Sequence, residues 1–368
     1  MDFDRYVSRT FRTVVVQPTS LCTWRCDYCY LPTRDRRLEM SVAVAEGVAR
    51  GIAAQDSDRR VTVVWHGGEP LSLRQDRFEQ LLMPFAELRA AGRIQHAVQT
   101  NAGLLTDSWC ELFSAHGVSV GVSIDGPEWA NAQRRDQAGR PTFDRAMRGI
   151  AALNRNGLPF TVIAVITADT IGRAGEIMQF FEGLGARRVG FNLEELEGVN
   201  TRASGIDHTA AEEFWRQLFL RRSAGSALPV REVDGLLTYL RSVRAGDRSP
   251  RPRYDPIPTV AWNGDTVLLS PELAGVTAPE YGDFVVGNVT RETFPEMLGR
   301  AHDVRYVAEF VEALAECAAT CEFYDYCRGA QAGNRYFEHG TFRATETAYC
   351  VNTRKALVGA LSDLTTRA

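Results

Sequence analysis

Short apolar runs alternate with longer segments of helical periodicity along the first two thirds of the chain. Runs rich in β-branched residues predict strands, and apolar residues spaced about 3.6 apart predict amphipathic helices. The strands of six such units are predicted at 13–17, 61–66, 95–100, 118–124, 160–167 and 188–193. Their helices are predicted at 40–55, 77–91, 107–116, 143–156, 174–184 and 210–221. Regular alternation of this kind indicates a parallel sheet that is covered by helices.

The predicted fold class is α/β, with an open, partial (β/α)6 barrel of the TIM type, because six units are too few to close an eight-stranded barrel. A Rossmann-like sheet is the alternative. Residues 249–258 contain four prolines, which are typical of an irregular boundary segment. Residues 260–270 predict a β-hairpin around an Asn-Gly-Asp turn. We predict a barrel domain at 1–230 and a small α+β domain, stapled by metal, at 231–368.

Composition narrows the class of protein and its location. The 368 residues carry a formal charge of −4, so there is no basic footprint for nucleic acid, and no nucleic-acid partner is expected. No apolar run approaches the roughly 18 residues of a membrane span, and the N-terminus lacks a signal-peptide pattern. The prediction is a cytoplasmic protein without a membrane partner. Cytosolic thiols stay reduced, so the eight cysteines indicate metal ligation rather than disulfides.

Three cysteines, Cys22, Cys26 and Cys29, follow the first predicted strand at offsets of four and three. Three thiolates on one loop suit an iron–sulfur cluster or zinc, yet a closed structural site needs a fourth ligand. The open position allows a small molecule to bind the metal. A zinc site that takes a remote fourth ligand is the alternative at this stage. Cys110 is predicted to be a packed core thiol.

Polar clusters follow the other predicted strands. Gly67-Gly68-Glu69-Pro70 follows the second strand, and Asn101 and Ser123 close the third and fourth. Asp125 lies two residues after Ser123, and Asn192 with Glu194, Glu195 and Glu197 closes the sixth strand. The carboxyl ends of parallel strands meet at one edge of a sheet, so these side chains are expected to form one binding site.

The loop from Cys22 to Cys29, followed by Tyr30, resembles the defining motif of the radical S-adenosylmethionine (SAM) enzymes. The resemblance implies a [4Fe-4S] cluster held by Cys22, Cys26 and Cys29, with SAM on the fourth iron as source of a 5′-deoxyadenosyl radical. It also implies that Gly67, Gly68, Glu69 and Pro70 meet the SAM ammonium group. The remaining SAM contacts that it implies are Tyr30, Asn101, Ser123, Arg134 or Arg135, and Asn192.

Cys317, Cys321, Cys327 and Cys350 resemble the auxiliary-cluster domains called SPASM or twitch. Four thiolates saturate a cubane cluster, so this likeness implies one auxiliary [4Fe-4S] cluster that does not bind SAM. The chain departs from the full SPASM pattern, because Gln331 stands four residues after Cys327 and Ser270 stands in the upstream hairpin. A second auxiliary cluster is therefore not expected. A zinc ion on the same four thiolates is the alternative.

Further sequence blocks between residues 17 and 334 resemble the GrrM/OscB-type peptide maturases. This likeness implies a precursor peptide as substrate, a reductant such as flavodoxin or ferredoxin, and a cyclophane made by joining an aromatic ring carbon to a side-chain β-carbon. The auxiliary cluster is the expected electron acceptor. Asp125, Glu194, Glu195 and Glu197 are the expected proton acceptors by their strand-end positions. Sulfatase maturation, thioether formation, epimerisation, small-molecule dehydrogenation and a zinc-stapled module without catalysis are the alternatives.

Overall fold

The computed structural model describes residues 3–202, 205–246 and 253–366. Within these ranges nine strands form one sheet: β1 (Thr13–Val16), β2 (Val61–Trp65), β3 (Ile94–Thr100), β4 (Val118–Ser123), β5 (Phe160–Ile166), β6 (Val189–Leu193), β7 (Thr259–Val260), β8 (Asp265–Val267) and β9 (Gly287–Asn288).

The helices of the first half are α1 (Phe3–Tyr6), α2 (Val42–Ala53), α3 (Gln75–Leu82), α4 (Ala86–Ala90), α5 (Asp107–His116), α6 (Phe143–Arg155) and α7 (Ala174–Leu184). Those of the second half are α8 (His208–Ser223), α9 (Arg231–Arg244), α10 (Phe294–Gly299), α11 (Arg305–Thr320), α12 (Tyr324–Cys327), α13 (Ala332–His339) and α14 (Ala356–Thr366). A π-helical segment, Cys350–Lys355, leads into α14. No helix in the described part of the chain is both long and apolar enough to cross a bilayer.

The sheet runs in the order β6-β5-β4-β3-β2-β1-β7-β8-β9. Strands β1 to β6 are parallel neighbours, β7 joins β1 in parallel, and β8 and β9 add antiparallel pairs. The sheet stays open because β6 and β9 lie at opposite edges. The predicted α/β fold with six parallel strands in sequential order is confirmed, and it brings the carboxyl ends of those strands to one edge.

Burial of alternate side chains explains why these short segments form strands. Residues of β2 and β3 alternate between buried and half-buried positions, which is the pattern of a sheet packed most tightly on one face. Trp65, at the end of β2, is fully buried and packs edge-on against Phe78 and Phe85, with ring centroids 5.5 and 5.8 Å away. This aromatic packing fixes the point from which the next loop departs.

One predicted helix is broken in the structure. The helix predicted at 77–91 divides into α3 and α4, with a 3-10 turn at Met83–Phe85 between them. Pro84 explains the break, because proline has no N–H to donate and its ring crowds the preceding turn. The apolar spacing continues through the break, which is why periodicity alone predicted one helix.

The predicted boundary near residue 230 is crossed by both sheet and helix contacts. Strand β7 pairs with β1, and the Glu232 carboxylate of α9 accepts a hydrogen bond from the Phe191 N–H in β6. Of the proline-rich segment, Pro250 and Pro252 lie outside the described residues, whereas the Pro258 carbonyl accepts the Val15 N–H. The predicted hairpin is present as β7 and β8. The second half therefore completes the edge of the barrel sheet.

Candidate active site

A cavity of about 310 Å³ opens at the carboxyl ends of the parallel strands. Its volume lies within the roughly 300–1,000 Å³ of small-molecule sites in proteins. Most residues predicted for the site line it: Cys22, Cys26, Cys29, Tyr30, Gly68, Glu69, Asn101, Ser123, Arg134, Asn192, Glu194, Glu195 and Glu197. Four predicted residues do not line it: Gly67, Pro70, Asp125 and Arg135.

The cysteine loop is held by its own backbone and by one arginine. The Cys22 N–H donates to the Arg34 carbonyl at 2.8 Å, and Arg34 Nη1 donates to the Cys26 carbonyl at 2.8 Å. Burial raises the pKa of the Cys26 thiol to about 12 and that of Cys22 further. Thiols buried in this way need a nearby positive centre to ionise, and bound iron supplies one.

The three thiols match the ligands that a cubane cluster takes. Among the described residues, no group of three or more His, Cys, Asp or Glu side chains could hold one metal ion. A cubane takes one thiolate on each iron, so its ligands stand further apart than the ligands of one zinc ion. Cys22, Cys26 and Cys29 are all free and face the same cavity, which matches three such positions.

Gly67 and Gly68 are required by the backbone geometry of the loop after β2. Their φ angles are 99° and 59°, in the left-handed region that favours glycine. A Cβ on Gly68 would lie 2.5 Å from the Leu21 carbonyl oxygen, and one on Gly67 would lie 2.7 Å from Gln17. The two glycines therefore let this loop lie directly against the segment that carries the first cysteine.

Glu69 links that loop to the end of β3. Its carboxylate accepts hydrogen bonds from the Leu71 N–H at 3.0 Å, the Thr100 hydroxyl at 2.7 Å and the Asn101 N–H at 2.8 Å. Burial raises the pKa of Glu69, and these three donors oppose the shift. The carboxylate thus fixes Asn101 at the cavity wall, and one lone-pair position is left for a ligand. Pro70 begins the 3-10 turn that follows.

Asp125 belongs to a saturated buried network. Its carboxylate accepts Arg134 Nε at 2.8 Å, Arg134 Nη2 at 2.9 Å, the Tyr28 hydroxyl at 2.5 Å and the Val165 N–H at 2.9 Å. Four donors use its four lone-pair sites. Its place in the structure therefore does not support the predicted role of proton acceptor. Of the two arginines left open by the sequence, Arg134 lines the cavity, whereas Arg135 is exposed and lies off it.

Three polar side chains on the cavity wall are anchored by neighbours. The Ser123 hydroxyl accepts from Gln99 Nε2 at 2.8 Å, and Asn101 Oδ1 accepts the Gly103 N–H at 2.8 Å. Asn192 Oδ1 accepts from Arg231 Nη2 at 2.7 Å. Each side chain is held in one orientation and keeps further hydrogen-bonding capacity, which suits contacts to the ribose and carboxylate of SAM.

A cluster of carboxylates, which we call the acid cluster, comprises Glu195, Glu197 and Glu272 on one side of the cavity. Asn334 Nδ2 donates to Glu195, and Ser270 donates to Glu272. Burial, together with the neighbouring carboxylates, raises the pKa of Glu195 to about 8 and holds that of Glu197 well above its usual range. Burial also raises the pKa of Glu272. Glu195 can therefore hold or accept a proton near neutral pH.

Glu194 stands apart from the acid cluster on the same cavity wall. Burial raises its pKa, and the nearby charges that act on it are Arg202, Asp169 and Asp27. Glu194 thus keeps its place among the possible proton acceptors, although its surroundings differ from those of Glu195 and Glu197.

Sequence reasoning missed His66 and Glu272. The Tyr30 hydroxyl lies 3.0 Å from His66 Nε2, and burial lowers the pKa of His66 to about 4, so this imidazole is neutral. Its position directly before Gly67 was a usable signal. Glu272 had no such signal, because the pairing of β7 with β1 and of β8 with β7 brings it to the cavity.

The four C-terminal cysteines meet at a second pocket. Cys317 lies in α11, Cys327 ends α12, Cys350 begins the π-helical segment, and Cys321 lies between the two helices. All four are free and line this one pocket. Four convergent thiols can saturate a cubane cluster, as the sequence predicted.

Comparison with known proteins identifies the class. The family described as the Radical SAM superfamily matches residues 16–196. The Synechocystis protein sll1766, whose name describes it as uncharacterized, is 30% identical over 95% of this chain and 92% of its own. The serine-type anaerobic sulfatase-maturating enzyme of Bacteroides thetaiotaomicron is 25% identical over 88% of this chain and 83% of its own.

Two solved structures show the same fold. The structure of anSMEcpe with bound AdoMet and the Cp18Cys peptide has a TM-score of 0.76 at 20% identity, over 96% of this chain and 98% of that one. Streptococcus suis SuiB bound to the precursor peptide SuiA has a TM-score of 0.65 at 17% identity, over 93% and 76%. The chain belongs to the radical SAM superfamily, and it is an enzyme that uses a [4Fe-4S] cluster and SAM. The alternative of a zinc-stapled module without catalysis is therefore not retained.

Proposed function

We propose that this enzyme is a peptide maturase that joins an aromatic ring carbon to a side-chain β-carbon within a ribosomally made precursor peptide. The observation that carries the proposal is a single cavity in which three cluster-binding thiols face an acid cluster. Relatives named as sulfatase-maturating enzymes, and a structural neighbour solved with its precursor peptide, support a peptide or protein substrate. The GrrM/OscB-type sequence blocks support the cyclophane.

The proposed reaction removes two hydrogens from the peptide. When bound, the cluster and SAM supply a 5′-deoxyadenosyl radical that takes one hydrogen atom from the β-carbon. The β-carbon radical adds to the ring and forms the new bond. The ring adduct would then lose one electron, for which the auxiliary iron–sulfur cluster held by Cys317, Cys321, Cys327 and Cys350 would be the acceptor, and its ring proton would pass to a base, which restores aromaticity. A reductant such as flavodoxin or ferredoxin supplies the electron that SAM cleavage consumes.

The residues of the chain have separable roles in this scheme. Cys22, Cys26 and Cys29 hold the cluster, and the Glu69 loop, Asn101 and Ser123 position SAM. The acid cluster takes up the ring proton, because it is buried on the cavity wall and burial raises the pKa of Glu195 to about 8. Tyr30 contacts SAM, as the resemblance implies, and neutral His66 lines the same cavity and holds the Tyr30 hydroxyl in place.

Sulfatase-type oxidation is the second possibility, since several relatives carry that name. It would convert a seryl or cysteinyl side chain of the substrate to an aldehyde, and it also needs a base close to SAM. The cavity offers the same acid cluster to that reaction. The two functions therefore differ in the product.

The test uses holoenzyme reconstituted anaerobically and reduced with dithionite. The open reading frames beside the gene are searched for a short, aromatic-containing precursor peptide, and the enzyme is incubated with SAM and that peptide. We expect a product lighter by two hydrogens, with no reaction toward hydrazides and with fragmentation blocked between the linked residues. A hydrazide-reactive product would show aldehyde formation, and an unchanged or epimerised peptide would contradict the crosslink.

Matched variants test the role of the acid cluster. Glu195→Gln should reduce crosslinked product by about 10²-fold or more, a typical effect of losing a general base, and should leave SAM cleavage measurable. Glu194→Gln is the control, because Glu194 lies on the same wall outside the cluster. An equal loss in both variants would contradict a specific role for the cluster.

A further inference from the structure

The two thiol sites lie in different electrostatic surroundings. At the cysteines of the SAM-binding site, Glu69 and Asp125 are offset by the cations Arg134 and Arg34. Around the auxiliary cysteines the nearby charged groups are Arg335, Arg354 and Lys355, and of these Lys355 pairs with Glu346. The second site is therefore the more cationic of the two.

Arg335 makes the closest of these contacts. Its guanidinium is 3% exposed, and Nη2 lies 3.7 Å from Cys317 Sγ. Nη2 also donates to the Gly329 carbonyl at 2.9 Å, and Nη1 donates to the Ala344 carbonyl at 2.7 Å. No carboxylate in the described ranges forms an ion pair with it. A buried cation without an anionic partner is costly, so a thiolate-bound cluster is the natural counter-charge.

Arg354 is a second cation near these thiols. Its Nη2 donates to the Tyr349 hydroxyl at 3.1 Å, and its charge acts on Cys327. Its buried Nε has no hydrogen-bond partner in the structure. As with Arg335, no ion pair with a carboxylate is present among the described residues.

A strained turn lines the same pocket. Arg328, Gly329 and Ala330 have φ angles of 58°, 91° and 56°, so three consecutive residues adopt the left-handed conformation. In this turn the Ala330 N–H donates to the Cys327 carbonyl at 3.3 Å, and Arg335 Nη2 donates to the Gly329 carbonyl. Left-handed backbone at non-glycine residues costs energy and persists where the surroundings hold it in place. The turn therefore fixes Cys327 and Arg335 relative to each other at the wall of the thiol pocket.

Cations near the sulfurs favour the reduced form of an iron–sulfur cluster, because that form carries one more negative charge. We propose that Arg335 is a positioning residue that raises the reduction potential of the auxiliary centre above that of the SAM-binding centre, with Arg354 acting in the same direction. The auxiliary centre would then be the first of the two to hold an added electron. This proposal goes beyond the proposed function, since it concerns the reduction potential of the auxiliary centre and not the peptide that is modified.

The test is an anaerobic redox titration of the reconstituted full chain, poised with dithionite and mediators and followed by electron paramagnetic resonance. The auxiliary signal is the one that SAM does not alter. Arg335→Met should lower the equilibrium constant for one-electron reduction at least tenfold, which is a shift of about 59 mV to more negative potential. Arg335→Lys should give a smaller shift, because it keeps the charge and loses the forked contacts.

Arg343→Gln is the matched control, since Arg343 pairs with Glu309 and Glu312. The auxiliary centre of this variant should have the same reduction potential as that of the wild-type protein. If Arg335→Met does not retain about eight irons per chain, Arg354→Met provides the same measurement at Cys327. An unchanged auxiliary potential in the iron-replete variants would overturn the proposal, and so would a wild-type auxiliary centre that is reduced only after the SAM-binding centre. Peptide turnover does not enter these outcomes.

Discussion

Replacing Asp125 by Asn separates a structural role from the catalytic role that its sequence position predicted. The substitution keeps the shape of the side chain and removes its charge. Arg134 is only 5% exposed, and it donates to the Asp125 carboxylate at 2.8 and 2.9 Å. With Asn at position 125, this ion pair would be lost. The Tyr28 hydroxyl and the Val165 N–H would also face a neutral amide, whose nitrogen repels one donor. The result is an unpaired buried guanidinium beside the cysteine loop.

The size of the effect follows from the burial of both partners. Removing one partner of a buried ion pair costs about 3–5 kcal/mol. For 368 residues, the unfolding entropy is about 0.8 kcal/mol per kelvin, taken from roughly 2.1 cal/mol/K per residue. We therefore expect the melting temperature to fall by about 4–6 °C. SAM affinity should also fall, because Arg134 lines the cavity.

The assay compares Asp125→Asn, Arg134→Gln and the double variant by thermal unfolding of the reconstituted protein, with iron content and SAM cleavage measured on the same samples. The double variant should lose less stability than the sum of the single losses by about 2 kcal/mol or more, because removing both charges leaves none unpaired. A refuting result is Asp125→Asn with wild-type melting temperature, iron content and SAM cleavage but without product. That result would restore Asp125 as the proton acceptor.

Three further predictions test the two metal sites and the acid cluster. Cys29→Ala should abolish SAM cleavage, whereas Cys327→Ala should lose about four irons and retain SAM cleavage; equal losses of cleavage would contradict separate sites. Gly68→Ala should cost more stability than Gly92→Ala, because their φ angles are 59° and 69° but only Gly68 is crowded, and equal melting temperatures would contradict the close approach. A carboxyl group is protonated below its pKa, and a base must be deprotonated to accept a proton. The rate of crosslinking should therefore rise with pH towards about 8, the pKa of Glu195. A crosslinking rate that does not change between pH 6 and 9 would exclude Glu195 as the titrating base.

Local spacing determined the parts of this protein that depend on neighbouring residues in the chain. Short β-branched runs that alternate with helical segments predicted six parallel strands, because such alternation is typical of a parallel sheet covered by helices, and all six are present. The offsets of Cys22, Cys26 and Cys29 predicted a loop of thiols with an open position. Gly67 and Gly68 predicted a turn, and their φ angles show why glycine is needed.

Tertiary structure alone decided which polar residues act together. Asp125 looked like a free acid at a strand end, but the fold brings Arg134, Tyr28 and Val165 onto its carboxylate. Glu272 joins Glu195 through strand pairings that link distant parts of the chain. The role of an ionisable side chain depends on the groups that pack against it and on how far burial removes it from water. Neither can be predicted from spacing along the sequence.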